Sequence, residues 1–596
     1  MSRPPTPIAG TLFVLTLVVT SLALAVAGCA PNNLLRSGAE EAACPAAAAT
    51  GEILKEPADR QKACRQTFVE VGCPPVDAKG KIVENDDLRR RWDRCRDLES
   101  RWRYNLVVLE LDDQGRFRKE AQLDKLFEIL ERDIAKRPSG GVSLVVFVHG
   151  WRHNAEPDDS NLNFARAVLE GTVVVENQPP QYTRDEQPRS VVGVYVGWRG
   201  KSLTGLFGAL ELPTFWDRKF TAERVATGSV RELFARLKYF RDLHNSVGSL
   251  PSDRKEACVR DLPGPTRDKK TATLLCPAVR FFVVGHSFGG LLVYNALSES
   301  LIRSLAEAPY RQGKEDVVGE YADLVVLINP AIEGARFEPL HQAALRRQYM
   351  ARQLPIFVSV TATNDWATKW AFLAGRWMNT VFESEAPGVG ESSDQADRDH
   401  ATRIAHEERE ANIHAMGHID RYKTHVLCPA ETCPLTEWGA KSERRQLLTD
   451  WPKVRDNANC AAALQEQLSK HYLCRDGQCP DGVGVDGLTW DKGTDADGRI
   501  VRYREFLDSK GLGMTLTTHR ALDERIKSTI TRDGQPNATL AFSPVWMVES
   551  NDARIVNGHN GFDLPPLREF LVQLYHDRVM YGRFPDKLVQ APDHCR

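Results

Sequence analysis

The sequence lacks any marked excess of one charge. Its 78 lysines and arginines stand against 80 aspartates and glutamates, a formal charge of -2. Gripping a polyanion takes a basic surplus, so nucleic acid is not an expected partner. Long apolar runs are also scarce. Mean hydropathy is -0.38, which excludes a polytopic membrane protein, and only the segment from Thr11 to Ala27 is strongly apolar. No internal repeat is found, which argues against a solenoid or propeller. What is present is ordinary globular composition, 42% hydrophobic and 27% charged, in a chain of 596 residues. That length allows three or four domains, or one α/β domain with large decorations.

The apolar segment has only Arg3 before it as a basic side chain, and it ends at Val26-Ala27-Gly28-Cys29. Small residues before a cysteine leave the backbone uncrowded for a peptidase. The segment resembles a bacterial lipoprotein signal peptide, which implies that Cys29 is the lipidated first residue of an exported protein. A plain membrane anchor is the alternative, but the run is short for a span. Ala30, where an aspartate would retain the protein elsewhere, favours the outer membrane by the same resemblance. The cysteines agree with export. There are 13, and setting Cys29 aside leaves 13 − 1 = 12, an even number for pairing in an oxidising compartment. Zinc is the rival, since Cys428/Cys433 and Cys474/Cys479 are similarly spaced pairs, though the spacing is loose for a ribbon.

Residues 29–103 read as a tether and a small cysteine-rich region, with order beginning near Tyr104. From there apolar runs alternate with helical segments. Leu106–Leu111, Ser143–Val148, Val191–Val196, Phe281–Val284, Leu324–Ile328 and Ile356–Val360 are strand-like, and continuous rather than alternating apolar runs suit a parallel sheet buried on both faces. The expected fold class is therefore α/β, a doubly wound and mostly parallel sheet. Insertions are expected at about 200–275 and 380–540, the second opening with a polar, mobile stretch from Glu383 to Glu410. The pattern resumes at Pro544–Val548, and a last helix covers Leu567–Tyr575. Residues 581–596 form a tail.

The chemistry centres on Gly285-His286-Ser287-Phe288-Gly289, followed by Gly290. As a bare pattern it is weak in a chain with 42 glycines. Its context is specific: the strand Phe281–Val284 runs directly into it, and the apolar helix from Leu291 runs directly out. So tight a strand-to-helix turn strains the serine backbone and needs glycines two positions either side, or strand and helix collide. The hydroxyl is then exposed at a helix N-terminus, whose partial positive charge favours an oxyanion.

This motif, with Val148-His149-Gly150-Trp151, Gly197-Trp198-Arg199-Gly200, Phe215-Trp216-Asp217-Arg218-Lys219, Asn329-Pro330-Ala331, Asp365-Trp366-Ala367-Thr368 and Gly558-His559-Asn560, resembles bacterial esterase-like α/β-hydrolases over about 104–575. The resemblance implies a serine nucleophile at Ser287 and an oxyanion hole from the amides of Trp151 and Phe288. The order serine, acid, histidine puts the acid after a later strand, where Asp365 is favoured over Glu333, although an aspartate there also suits a helix cap. The base belongs in the loop after the last strand. His559 stands there, and His418 is the runner-up. The resulting expectation is a serine hydrolase cleaving a small-molecule or lipid carboxylic ester, membrane-attached through Cys29, with no metal or organic cofactor required. An acyltransferase, or a non-catalytic envelope lipoprotein using the fold as a scaffold, is the alternative. Leu203, Leu206, Phe207, Phe215 and Trp216 are equally readable as a lid or as packing.

Overall fold

The computed structural model describes residues 32–44, 58–77, 97–137, 140–177, 188–202, 215–249, 259–263, 270–274, 277–307, 321–345, 355–373, 395–429, 502–507, 513–518 and 543–581, with a few isolated positions between. Fourteen strands lie among them: β1 (Gly38–Ala43), β2 (Thr67–Gly72), β3 (Tyr104–Glu110), β4 (Val142–Val148), β5 (Ser190–Gly197), β6 (Val259–Pro263), β7 (Lys270–Leu274), β8 (Val279–His286), β9 (Leu324–Ile328), β10 (Phe357–Ala362), β11 (His425–Pro429), β12 (Arg502–Leu507), β13 (Gly513–Thr518) and β14 (Val545–Ser550). The helices used below are α1 (Ala58–Gln66), α2 (Glu120–Lys136), α3 (Ser160–Glu176), α4 (Phe215–Thr227), α5 (Ser229–Asn245), α6 (Phe288–Glu307), α7 (Gly334–Leu345), α8 (Gln395–Ile413) and α9 (Pro565–Tyr581).

Twelve strands make one sheet in the order β1-β2-β3-β5-β4-β8-β9-β10-β14-β11-β13-β12, and β6 and β7 form a separate hairpin. From β3 to β11 every pairing is parallel. Antiparallel pairing appears only towards the edges, at β2–β3, β11–β13 and β12–β13. The apolar runs explain the centre. Every residue of β4, β5, β8 and β9 is buried, as a strand covered on both faces requires. Neighbouring residues of β8 show the two layers, because successive strand side chains point to opposite faces. Phe281 meets Phe234 of α5, whereas Phe282 meets Tyr575 of α9. This is an α/β architecture compatible with a doubly wound sheet.

Three regions differ from the sequence expectation. The N-terminal region is not only a tether, since β1 and β2 extend the sheet beyond β3. A buried ion cluster fixes it: Glu70 accepts from Arg166 Nε and Nη2, both at 2.8 Å, and also pairs with Arg36. Burial alone would raise the Glu70 pKa, and the two guanidiniums outweigh it and lower it. No periodicity in the sequence announces an ion cluster of residues 34 and 96 positions apart. Second, the polar stretch expected to be mobile carries α8, which buries Ala411. Third, the segment 380–540 is not wholly outside the sheet, because β11, β12 and β13 extend it past β14.

The cysteines pair as an oxidising compartment would have them. Cys44–Cys64, Cys73–Cys95 and Cys460–Cys595 are disulfides, and Cys428 is disulfide-bonded too. Cys29, Cys258, Cys276, Cys433, Cys474 and Cys479 lie outside the described residues. Among the described residues no helix is long and apolar enough to cross a membrane.

Candidate active site

Ser287 sits between β8 and α6 with φ +55°, in the left-handed region that side chains seldom adopt. The backbone is held there from both sides: its amide donates to Ile328 O at 2.9 Å, and its carbonyl accepts from the Leu291 amide at 3.2 Å. The flanking glycines are required by contact. A Cβ on Gly285 would lie 2.9 Å from Gly289 O and from Gly290 Cα, and one on Gly289 would lie 2.1 Å from Val148 O. Strand, turn and helix thus close on each other with no space for a side chain.

His559 lies in the loop after β14, a short turn closed by the Asn557 amide donating to Gly561 O at 2.8 Å. Its Nε2 stands 2.7 Å from Ser287 Oγ. Its Nδ1 stands 2.8 Å from Asp365 Oδ2. Asp365 follows β10 and is fully buried. The two uses considered for Asp365 coexist on separate oxygens. Oδ1 accepts from the amides of Ala367 at 2.9 Å and Thr368 at 3.2 Å, capping the next turn. Oδ2 faces His559 and accepts from Thr368 Oγ1 at 2.5 Å. Burial pushes the Asp365 pKa up, but the neighbouring imidazole and these donors outweigh it and lower it, so the carboxylate stays ionised.

Glu333 and His418 are placed elsewhere. Glu333 is buried in ion pairs with Lys219 at 2.7 Å and Arg336 at 3.0 Å, a structural role. His418 is not beside the serine but behind the acid, with Nε2 2.8 Å from Thr368 Oγ1. Burial pushes its pKa down to about 4. Because Thr368 gives its proton to Asp365, its oxygen accepts from a His418 Nε2–H.

The His149-Gly150-Trp151 turn follows β4 and abuts the serine. A Cβ on Gly150 would fall 2.7 Å from Ser287 Cβ. His149 is stacked on Trp198 with rings 5.6 Å apart. Its Nε2 accepts from the Trp198 amide at 2.9 Å, and its Nδ1 lies 3.0 Å from Gly150 O, which fixes a neutral Nδ1–H tautomer. Burial, pushing its pKa down to about 4, agrees. Among the described residues neither the Trp151 nor the Phe288 amide has a hydrogen-bond acceptor, so both donors are available to a ligand. Phe215 packs against Trp151 at 5.2 Å and Phe288 at 4.7 Å, beside that position. Trp216 meets Phe372 at 5.7 Å. Leu203, Leu206 and Phe207 lie outside the described residues.

Sequence reasoning gave no role to Asn329, Asn161 or His286. Asn329, at φ +45°, donates through Nδ2 to the carbonyls of Gly558 and His559, both at 3.0 Å, and accepts from the Ala362 amide at 2.9 Å. It therefore ties the loop of His559 to the end of β10, the strand before Asp365. His286 Nε2 lies 3.0 Å from the His559 carbonyl and Nδ1 2.9 Å from Asn161 Oδ1. Asn161 Oδ1 also accepts from the Gly150 amide at 3.3 Å. Asn161 Nδ2 reaches His153 Nε2 at 2.9 Å, and His153 Nδ1 reaches Asp159 Oδ1 at 3.0 Å. The only sequence signal was the Asn-Pro following an apolar strand; nothing marks the Asn161 line.

No family model, curated protein or solved structure matches the chain.

Proposed function

We propose that this chain is a lipid-anchored, exported serine hydrolase of α/β-hydrolase type that cleaves carboxylic esters. The observation that carries this is the run of two short contacts, Ser287 Oγ to His559 Nε2 at 2.7 Å and His559 Nδ1 to Asp365 Oδ2 at 2.8 Å, on a serine held at φ +55°. Such a constellation is recognised by geometry and role.

Ser287 Oγ attacks the ester carbonyl carbon while His559 Nε2 takes its proton. Asp365 holds Nδ1–H and stabilises the imidazolium. The amides of Trp151 and Phe288 receive the carbonyl oxygen as it becomes an oxyanion. Collapse expels the alcohol, which takes the proton back from His559 and leaves an acyl-serine. Water, deprotonated by His559, then attacks the acyl carbon, and the carboxylic acid leaves with Ser287 restored. Export and anchoring rest on the apolar segment ending at Cys29 and agree with the disulfides.

The test is a fluorophosphonate probe on the purified protein, followed by turnover of a short activated ester. Wild type should be labelled and active, and Ser287→Ala should be folded, unlabelled and inactive. Equal turnover in the variant removes the serine mechanism.

A further inference from the structure

The parallel strands β3, β8, β10 and β14 all point their carboxyl ends the same way. Ser287, Asp365 and His559 follow three of those ends. The fourth, at Glu110, holds the N-terminal chain: its carboxylate accepts from the amides of Leu35 and Arg36, each at 2.8 Å. Beyond it, Arg118 Nη1 donates to Asn32 O at 3.1 Å. The chain therefore enters the fold at the end of the sheet that carries the candidate site. From Cys29 to Asn32 is 32 − 29 = 3 residues, a reach of about 10 Å even when fully extended. A lipid on Cys29 cannot be far from this face.

The same face carries large exposed apolar groups. Trp366 and Trp370, on the turn directly after Asp365, are 55% and 54% exposed, and Phe220 on α4 is 47% exposed. α4 crosses this end of the sheet: its first residue, Phe215, packs on Trp151, and at its other end Val225 lies against Gly115, in the turn after β3. Between β3 and β10 lie five strand spacings, about 25 Å. The entry of the chain at Asn32 and the exposed tryptophans thus mark one face at two separated points. Indole rings favour the interface between headgroups and acyl chains, where the ring N–H stays wet and the ring face is desolvated, and a phenyl ring adds apolar surface beside them.

We propose that this face is seated on a bilayer, that Trp366, Trp370 and Phe220 enter its interfacial layer, and that the substrate is a lipid ester of the same leaflet. The proposal rests on the anchor and serine hydrolase readings. The face turns the end of the sheet that carries Ser287, itself buried, towards the headgroup level, where the ester bonds of lipids lie.

The experiment uses the full lipidated protein in phosphatidylethanolamine–phosphatidylglycerol vesicles whose upper acyl chains are brominated. Intact mass first establishes the diacylglyceryl group; its absence overturns the proposal at its premise. Fluorophosphonate labelling separately checks the serine. Bromine should quench tryptophan emission, and the quenched part should fall in Trp366→Phe/Trp370→Phe, which keeps the apolar contact but removes the indoles. For Phe220→Ser/Trp370→Ser, hydrolysis of an ester embedded in the vesicle should drop roughly tenfold, with a short soluble ester changed less than about twofold. A lipidated, labelled protein whose quenching and embedded-ester turnover are untouched by these changes has its site turned away from the membrane, and the proposal fails while both underlying readings stand.

Discussion

A Cβ on Gly150 would stand 2.7 Å from the Cβ of Ser287 and 2.8 Å from His286 Nδ1. The turn that carries the Trp151 amide and the turn that carries Ser287 are therefore closely packed, with His286 O also 2.9 Å from that position. Gly150→Ala must push them apart by several tenths of an ångström. An oxyanion donor displaced from its place costs about 10²-fold in kcat. We expect that loss for Gly150→Ala with KM nearly unchanged and the far-UV spectrum kept. Near-wild-type kcat in steady-state ester hydrolysis would show that the Trp151 amide does not serve the oxyanion.

Local pattern made much of this site legible. The strand Phe281–Val284, the glycines around Ser287 and the apolar start of α6 each follow from short-range sterics, so the strand–turn–helix geometry at Ser287 could be read directly. Asp365 and His559 were legible because each follows a buried apolar strand. Asn329 and Asn161 were not, because their roles depend on partners between 8 and 230 positions away that no periodicity encodes. The edge strands β1 and β2 were hidden for a related reason. Their anchorage is the polar cluster of Arg36, Glu70 and Arg166, which reads in sequence as ordinary surface charge. α8 is hidden in the sequence because it is polar and acidic, and its contacts, the buried Ala411 side and the Glu410–Arg421 ion pair, come from other elements.

Asn329 supplies a second expectation. Its Nδ2 holds the carbonyls of Gly558 and His559, and its Oδ1 holds the Ala362 amide. In Asn329→Ala the loop of His559 loses its bonds to the end of β10 but keeps those of Asn364 to Asn557 and Gly558, while Ser287, His559 and Asp365 remain. Misplacement of a base should lower kcat by roughly tenfold or more with KM little changed. Asn329→Asp keeps the acceptor but loses the donor, so it should not restore the rate. A rescue by aspartate would mean that only the Ala362 bond matters.

Stability should fall on mild acidification. Burial holds His149 and His418 at about 4, below the ordinary 6.5. Between those values the unfolded chain binds protons that the folded chain refuses. Stability from each histidine is complete above about 6.5, is lost as pH falls through the window, and is gone below about 4. Within the window each contributes a slope of up to about 1.4 kcal/mol per pH unit. Thermal melts between pH 7 and 4.5 should show a falling Tm, less steep in His418→Asn. A Tm that is flat over this range would mean that both imidazoles protonate freely in the fold.

The last expectation separates the two histidines that flank Asp365. His559 contacts Ser287 and Asp365 at once, through Nε2 and Nδ1. His418 reaches neither the nucleophile nor the acid; it meets Thr368 Oγ1, whose proton goes to Asp365 Oδ2. Its action on the reaction can only pass through the orientation of that hydroxyl. Removing a general base costs about 10²–10⁴-fold, so His559→Ala should lose at least that much in kcat. With His418→Ala, Thr368 can still donate to Asp365, and the acid keeps the amides of Ala367 and Thr368. A loss of about tenfold or less is expected there, the share of one supporting hydrogen bond. Thr368→Val should cost more than His418→Ala, since it removes a direct donor to the carboxylate, one of the groups that hold the pKa of Asp365 down. If His418→Ala were inactive and His559→Ala near wild type, the short contacts at Ser287 would not be the reacting ones, and the base would have to be sought on the β11 side of the sheet.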